Sequence, residues 1–177
     1  MKSGDRPIKT NSVRAWLLAS RPKTLSGAAV PVAVALSMAW VDCRPLSAVT
    51  TEGFKWLPAM LCLLFAFLMQ VDANLVNDYF DCLRGVDGED RLGPRRACAQ
   101  GWITPRAMRW GIAVTLTLAS LVGLCAVGVS YSFLPYRGLE YILLGALCIV
   151  FAFLYTTRLS YLGWGDALVL VFFGIVP

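Results

Sequence analysis

An all-α, polytopic transmembrane helix bundle is the fold class this sequence predicts, and three observations predict it. The 177-residue chain is 58% hydrophobic and only 15% charged, outside the usual range for a soluble domain. Four stretches, 24–41, 57–71, 110–136 and 141–157, lack charge, and each approaches the roughly 20 residues that a helix needs to cross about 30 Å of hydrocarbon. The basic residues also divide by side. Lys2, Arg6, Lys9, Arg14, Arg21 and Lys23 precede the first stretch; Arg84, Arg91, Arg95, Arg96, Arg106 and Arg109 lie between the second and third; Arg158 follows the fourth. Only Arg44, Lys55 and Arg137 fall in the alternate connections. Because Lys and Arg are retained on the cytoplasmic side, the N-terminus and the connection after the second span are expected in the cytoplasm.

This asymmetry accounts for the net charge of +5 without nucleic acid, for which there is neither a fold motif nor a basic helix face. The six cysteines have no close pair and the chain has no histidine, so no familiar zinc spacing is present. Ser37-Met38-Ala39 resembles a signal-peptidase site, but the apolar run before it is longer than a usual signal core, and an uncleaved first span is expected.

The leader, residues 1–23, carries a short amphipathic piece at 13–19 with Ser12 as N-cap and Trp16 available for the membrane interface. Arg21-Pro22-Lys23-Thr24 opens the first span, proline being tolerated in a first helical turn; its two cations either set topology or serve an anion. The transmembrane domain runs from 24 to 177. Its second span passes directly into Asn74-Leu-Val-Asn-Asp-Tyr-Phe-Asp81. Residues three and four apart share a helix face, so Gln70, Asn74, Asn77, Asp78 and Asp81 are expected to form one polar stripe. The loop 82–106 is longer than most connections and mixes Asp87, Glu89 and Asp90 with Arg91, Arg95 and Arg96. Thr104-Pro105 reads as N-cap and first residue of the third span. The fourth span ends at Tyr155-Thr156-Thr157-Arg158, and a glycine-bracketed turn, Gly163-Trp164-Gly165-Asp166, leads into a fifth that begins at Ala167.

Two carboxylates about 5.5 Å apart repel by roughly 3 kcal/mol at an effective dielectric near 20, a cost that a divalent cation reverses. An all-oxygen set with an amide suits Mg²⁺, which takes one or two carboxylates and accepts substrate phosphates. The same stripe also fits a helix end that becomes hydrated at the interface, and the mixed-charge loop fits a solvated, self-neutralising one. Arg158, on the same side, is an expected anion ligand.

These segments together resemble a known family. Asn77-Asp78-Tyr79-Phe80-Asp81, continuing through Gly85-Val86-Asp87 to Asp90-Arg91-Leu92-Gly93-Pro94-Arg95, is similar to the first aspartate-rich motif of the UbiA superfamily of intramembrane prenyltransferases. The branch most resembled is 1,4-dihydroxy-2-naphthoate polyprenyltransferase, of menaquinone biosynthesis. Arg21-Pro22-Lys23-Thr24-Leu25, Gln100-Gly101-Trp102-Ile103-Thr104, Tyr155-Thr156 and Gly163-Trp164-Gly165-Asp166 fit that branch in order and spacing. Gly85, where many relatives outside the branch have a carboxylate, favours it further, with Asp87 the next acid.

The resemblance implies a bundle of nine spans, of which this chain holds the first four to five, in a bacterial inner membrane. It implies an Mg²⁺-bound polyprenyl diphosphate as donor and 1,4-dihydroxy-2-naphthoate as acceptor. Asn77, Asp78 and Asp81 are then the catalytic and metal-binding group, with Asp87 as a further metal ligand. Lys23, Arg91, Arg95 and Arg158 provide positive charge for the diphosphate, and Gln70, Asn74 and Tyr155 line the substrate cavity.

Residues 167–177 span only about 16 Å of helix, half of a bilayer core, and the family's second aspartate-rich motif is absent. The chain is therefore expected to be an N-terminal portion, inactive alone. Two rival readings remain at this stage: a cation-binding or transport protein, and a noncatalytic remnant. A transport pathway would place ionisable groups near the midplane on more than one span, whereas here they gather at one end with only Asp72 deeper.

Overall fold

The computed structural model describes residues 8–43, 53–85, 95–132 and 134–154, the side chains of 135, 148 and 151–153 excepted. The described residues are helical and carry no strand. The expectations for Asp87, Glu89, Asp90, Arg91, Tyr155, Thr156, Arg158, the 163–166 turn and the fifth span fall outside them.

The leader helix α1 covers Val13–Ser20 and starts where expected, with the Ser12 hydroxyl accepting the Ala15 N–H at 3.3 Å. Arg21, in the left-handed region at φ 49°, turns the chain into a single 3₁₀ turn at Pro22–Thr24 and then into α2, Leu25–Asp42. Pro31 sits inside α2, so the Gly27 carbonyl lacks its helical donor, a loss that membrane helices tolerate. The helix α3 runs unbroken from Trp56–Arg84, past the 57–71 stretch, so the whole polar stripe belongs to the spanning helix itself. Gly85 ends it at φ 63°, a left-handed cap that glycine adopts without steric cost. Thr104 caps α4, Pro105–Ser130, through its hydroxyl and the Ala107 N–H at 3.3 Å.

The third span stops six residues short of Tyr136, where the uncharged stretch ends. A 3₁₀ turn at Pro135–Gly138 intervenes, with Tyr136, Arg137 and Gly138 all at positive φ, before α5, Leu139–Leu154. Pro135 lacks the N–H that a continued helix needs, so absence of charge outlasts helical structure there. Arg137 is held at this bend by the Tyr131 hydroxyl at 3.1 Å.

Three helical stretches, Val13–Asp42, Trp56–Arg84 and Pro105–Ser130, are long and apolar enough to cross a bilayer. Their two ends differ. At one, Trp40, Phe54 and Trp56 stack edge-to-face or tilted with centroids 4.9 to 5.5 Å apart, as aromatic residues do at a membrane surface. From Trp56 to Asp78 the helix rises about 33 Å, one hydrocarbon thickness. The polar end of α3 therefore lies at the opposite surface.

The buried core lies at that polar end. Ala15 and Ala19 of α1, Leu75 and Val76 of α3, Ala97, Cys98 and Ile103 of the connection, and Met108 and Ile112 of α4 form it. The two alanines, one turn apart and fully buried, let α1 approach α3 closely. Away from this end the helices present large apolar side chains outward, among them Met38, Leu121 and Leu143.

Trp16 does not serve only the interface. It is half-buried and packs over Gly111 of α4. A Cβ on Gly111 would lie 2.5 and 2.6 Å from two atoms of the indole ring, so α1 and α4 meet only because that position has no side chain. Gly111→Leu is expected to destabilise the protein by about 1–3 kcal/mol through overpacking, read as a lowered thermal midpoint in detergent. The same change in a Trp16→Ala background should cost much less; equal losses in both would refute the contact.

Candidate active site

The stripe on α3 divides into two lines with different neighbours. Asn74 and Asp78, one turn apart, face the protein and are 5% and 1% exposed. The Asn74 amide donates both hydrogens, to the Ser20 carbonyl at 3.0 Å and to the Thr24 hydroxyl at 2.8 Å. It thereby fixes the elbow between α1 and α2, and with it Lys23, which is exposed beside Thr24. The Asp78 carboxylate accepts the Ala97 N–H on Oδ2 at 2.9 Å and the Cys98 N–H on Oδ1 at 3.1 Å.

Those two N–H groups begin a single turn. Arg96 accepts from the Gln100 N–H at 3.0 Å, the Ala97 carbonyl takes the Trp102 N–H at 2.8 Å, and Gly101 turns the chain out at φ 67°. The leading N–H groups of a helical turn have no acceptor within it, and a carboxylate is suited to them. The far side of the turn is held by the leader. Asn11, at φ 54°, donates its N–H to the Trp102 carbonyl at 2.8 Å and accepts the Thr104 N–H on its side chain at 3.1 Å. The Gln100–Thr104 segment is thus a docking surface for residues 10–11 as well as a connection.

The second line is Asn77 and Asp81, both half-buried. Asp81 forms an ion pair with Arg96, which is itself only 8% exposed. Both Arg96 and Arg21 attract the neighbouring Asp78 carboxylate electrostatically. Gln70 is half-buried two turns nearer the midplane than Asn77, and Arg95 is exposed at the start of the turn. Between Gln70 and Asn74 along α3, the Thr115 hydroxyl of α4 lies 2.6 Å from Asp72 Oδ1, so a buried acid inside the span has a partner on the facing helix. Among the described residues no three His, Cys, Asp or Glu side chains converge; the Asn77–Asp81 line supplies one amide and one carboxylate.

The residue that sequence reasoning passed over is Arg96. Of the two adjacent arginines, Arg95 carried the expectation, yet Arg96 reaches the acidic line. The signal was the Ala97-Cys98 pair that follows, two small apolar residues that are buried and turn this side of the loop inward. Replacing Asp78 with Asn removes one acceptor and points an N–H₂ at a main-chain N–H. The expected cost is about 1–3 kcal/mol for the unpaired group, with faster hydrogen exchange at the Ala97 and Cys98 amides; unchanged exchange there would contradict the anchor.

The UbiA prenyltransferase family profile matches residues 28–177. A 1,4-dihydroxy-2-naphthoate octaprenyltransferase of Escherichia coli is 38% identical over 165 residues, covering 91% of this chain and 50% of the relative. Proteins of the same name from Haemophilus influenzae and Mycobacterium tuberculosis are 34% and 35% identical, covering 93% and 91% of this chain and 52% and 50% of theirs. The chain spans about half the length of the curated relatives it matches. No solved structure matches it. On the profile match and on these identities, the chain belongs to the UbiA prenyltransferase family.

Proposed function

We propose that this chain contributes one half of the metal and diphosphate site of an enzyme that prenylates 1,4-dihydroxy-2-naphthoate from a polyprenyl diphosphate, in menaquinone biosynthesis. The observation that carries the reading is the Asn77–Asp81 line with Arg96 against it, at the membrane surface on a continuous spanning helix. Similarity to octaprenyltransferases acting on that naphthoate supplies the substrates.

The residues present fit Mg²⁺. Their donors are oxygens, and a cation, the Arg96 guanidinium, already sits at Asp81 where a metal would. Asn77 and Asp81 would hold the ion, with Asp87 as a further ligand, while Asp78 holds the turn that carries Arg96. When bound, the ion neutralises charge developing on the leaving diphosphate. Lys23, Arg91, Arg95 and Arg158 add positive charge around the same anion. By family resemblance, Gln70, Asn74 and Tyr155 would line the substrate cavity.

The allylic carbon–oxygen bond breaks with its electron pair going to diphosphate, and the electron-rich naphthoate carbon attacks the allylic carbon. The ring carboxylate leaves as CO₂, its bonding electron pair restoring the aromatic ring, which gives a demethylmenaquinol, the reduced form of demethylmenaquinone. The apolar walls of α2, α3 and α4 exclude water that would otherwise capture the allylic cation. The N-terminus and this site face the cytoplasm of a bacterial inner membrane in this reading, and the excess of arginine and lysine on that side supports the orientation.

The test joins this chain to the remaining half of the E. coli relative and assays membranes with Mg²⁺, a radiolabelled polyprenyl diphosphate and 1,4-dihydroxy-2-naphthoate. The joined protein should form product and this chain alone should not. Asp81→Ala should lower the rate by at least about a hundredfold, in line with loss of a metal's charge stabilisation, and chelation of Mg²⁺ should abolish it. No product with either this acceptor or 4-hydroxybenzoate would remove the reading and favour a cation-binding protein.

A further inference from the structure

We propose that Arg96 is a built-in counter-cation for Asp81, displaced when a divalent metal takes that carboxylate and then available to the diphosphate, so that metal and diphosphate bind in concert. The inference rests on the metal and diphosphate reading above and goes beyond it by assigning a residue and a binding order.

Arg96 and Asp81 are 8% and 20% exposed as side chains. A carboxylate at this depth is costly without a positive partner, and Arg96 meets that need before any metal arrives. The backbone of Arg96 is not free to withdraw. The next two N–H groups are pinned to Asp78 at 2.9 and 3.1 Å, and its own carbonyl accepts the Gln100 N–H at 3.0 Å. Only the side chain can move, swinging about a fixed Cα.

A metal on Asp81 places a second cation against the first, so the guanidinium must leave the carboxylate. It remains in a mostly buried position, where a second strong anion stabilises it. A guanidinium fork suits phosphate oxygens, and the diphosphate is the anion that accompanies the metal. Metal alone breaks that ion pair, whereas metal with diphosphate exchanges one partner for another. By linkage, each ligand then tightens the other by the same factor.

Mn²⁺ binding, followed by its electron paramagnetic resonance signal, reads this without turnover. The protein is this chain in lipid nanodiscs and the same chain joined to the E. coli relative's second half, with inorganic pyrophosphate as the anion. In the native sequence pyrophosphate should tighten Mn²⁺ by about tenfold, within the span usual for coupled sites. Arg96→Gln should bind Mn²⁺ alone several-fold more tightly than the native protein, because that guanidinium no longer competes, and should lose most of the pyrophosphate enhancement. Arg96→Lys keeps a cation on the same Cα and should restore the native Mn²⁺ affinity, which separates the effect from misfolding. Tryptophan fluorescence establishes that each variant is folded. If Arg96→Gln bound Mn²⁺ alone no more tightly, the counter-cation role would be overturned while the metal site stood. Absence of Mn²⁺ binding to the native protein in both forms would overturn the site and this inference together.

Discussion

The Asp78 carboxylate, gripping two consecutive main-chain N–H groups, is the interaction on which the polar end of the molecule depends. Both of its oxygens are used, and its own helix cannot supply such donors. Because Asp78 is on α3 and the N–H groups are on the connection to α4, this one side chain sets the distance between the two helices' polar ends. The position of Arg96 follows directly, as does the docking of the leader through Asn11 and Trp102. A charged acceptor is a strong choice at the dry side of an interface, where an amide or hydroxyl would leave one N–H unmet.

The packing follows a single economy. Small residues and polar ties are concentrated where α1, α3, α4 and the 95–104 segment meet, and the remaining helix surface is left apolar. In water that distribution would be unstable, but in lipid the outward-facing leucines and valines lose nothing. What holds spans together there is close approach and satisfied polar groups, such as Thr115 with Asp72 and Gly111 beneath Trp16. The aromatic cluster of Trp40, Phe54 and Trp56 anchors the other surface without a core of its own.

Much of this was legible in the residues. Uncharged runs located the spans, Ser12 and Thr104 marked helix starts that the structure reproduces, and the acidic pentapeptide marked the polar end. Helix periodicity could place Asn74, Asn77, Asp78 and Asp81 near one another but could not tell which neighbours each would meet. The split into an inward line and an outward line depends on where the 95–104 turn lies, a contact between residues some twenty apart. Trp16 read as an interface residue because its partner, Gly111, has no side chain to announce it. The third span was read too long because hydropathy ignores the missing N–H of Pro135.

The leader's contacts also set an order of events. Asn11 must wait for Trp102 and Thr104, partners 91 and 93 residues later in the chain. At a synthesis rate of about 5–20 residues per second, that delay is about 5–18 seconds. During it the first two spans can enter the bilayer while Trp16 still lacks Gly111 of α4, its partner in the finished fold. The amphipathic leader helix has the membrane surface as a resting place for that interval. Its apolar face therefore meets two successive solvents, lipid during synthesis and protein afterwards, and a change that suits only one of them should impair assembly without altering the finished fold.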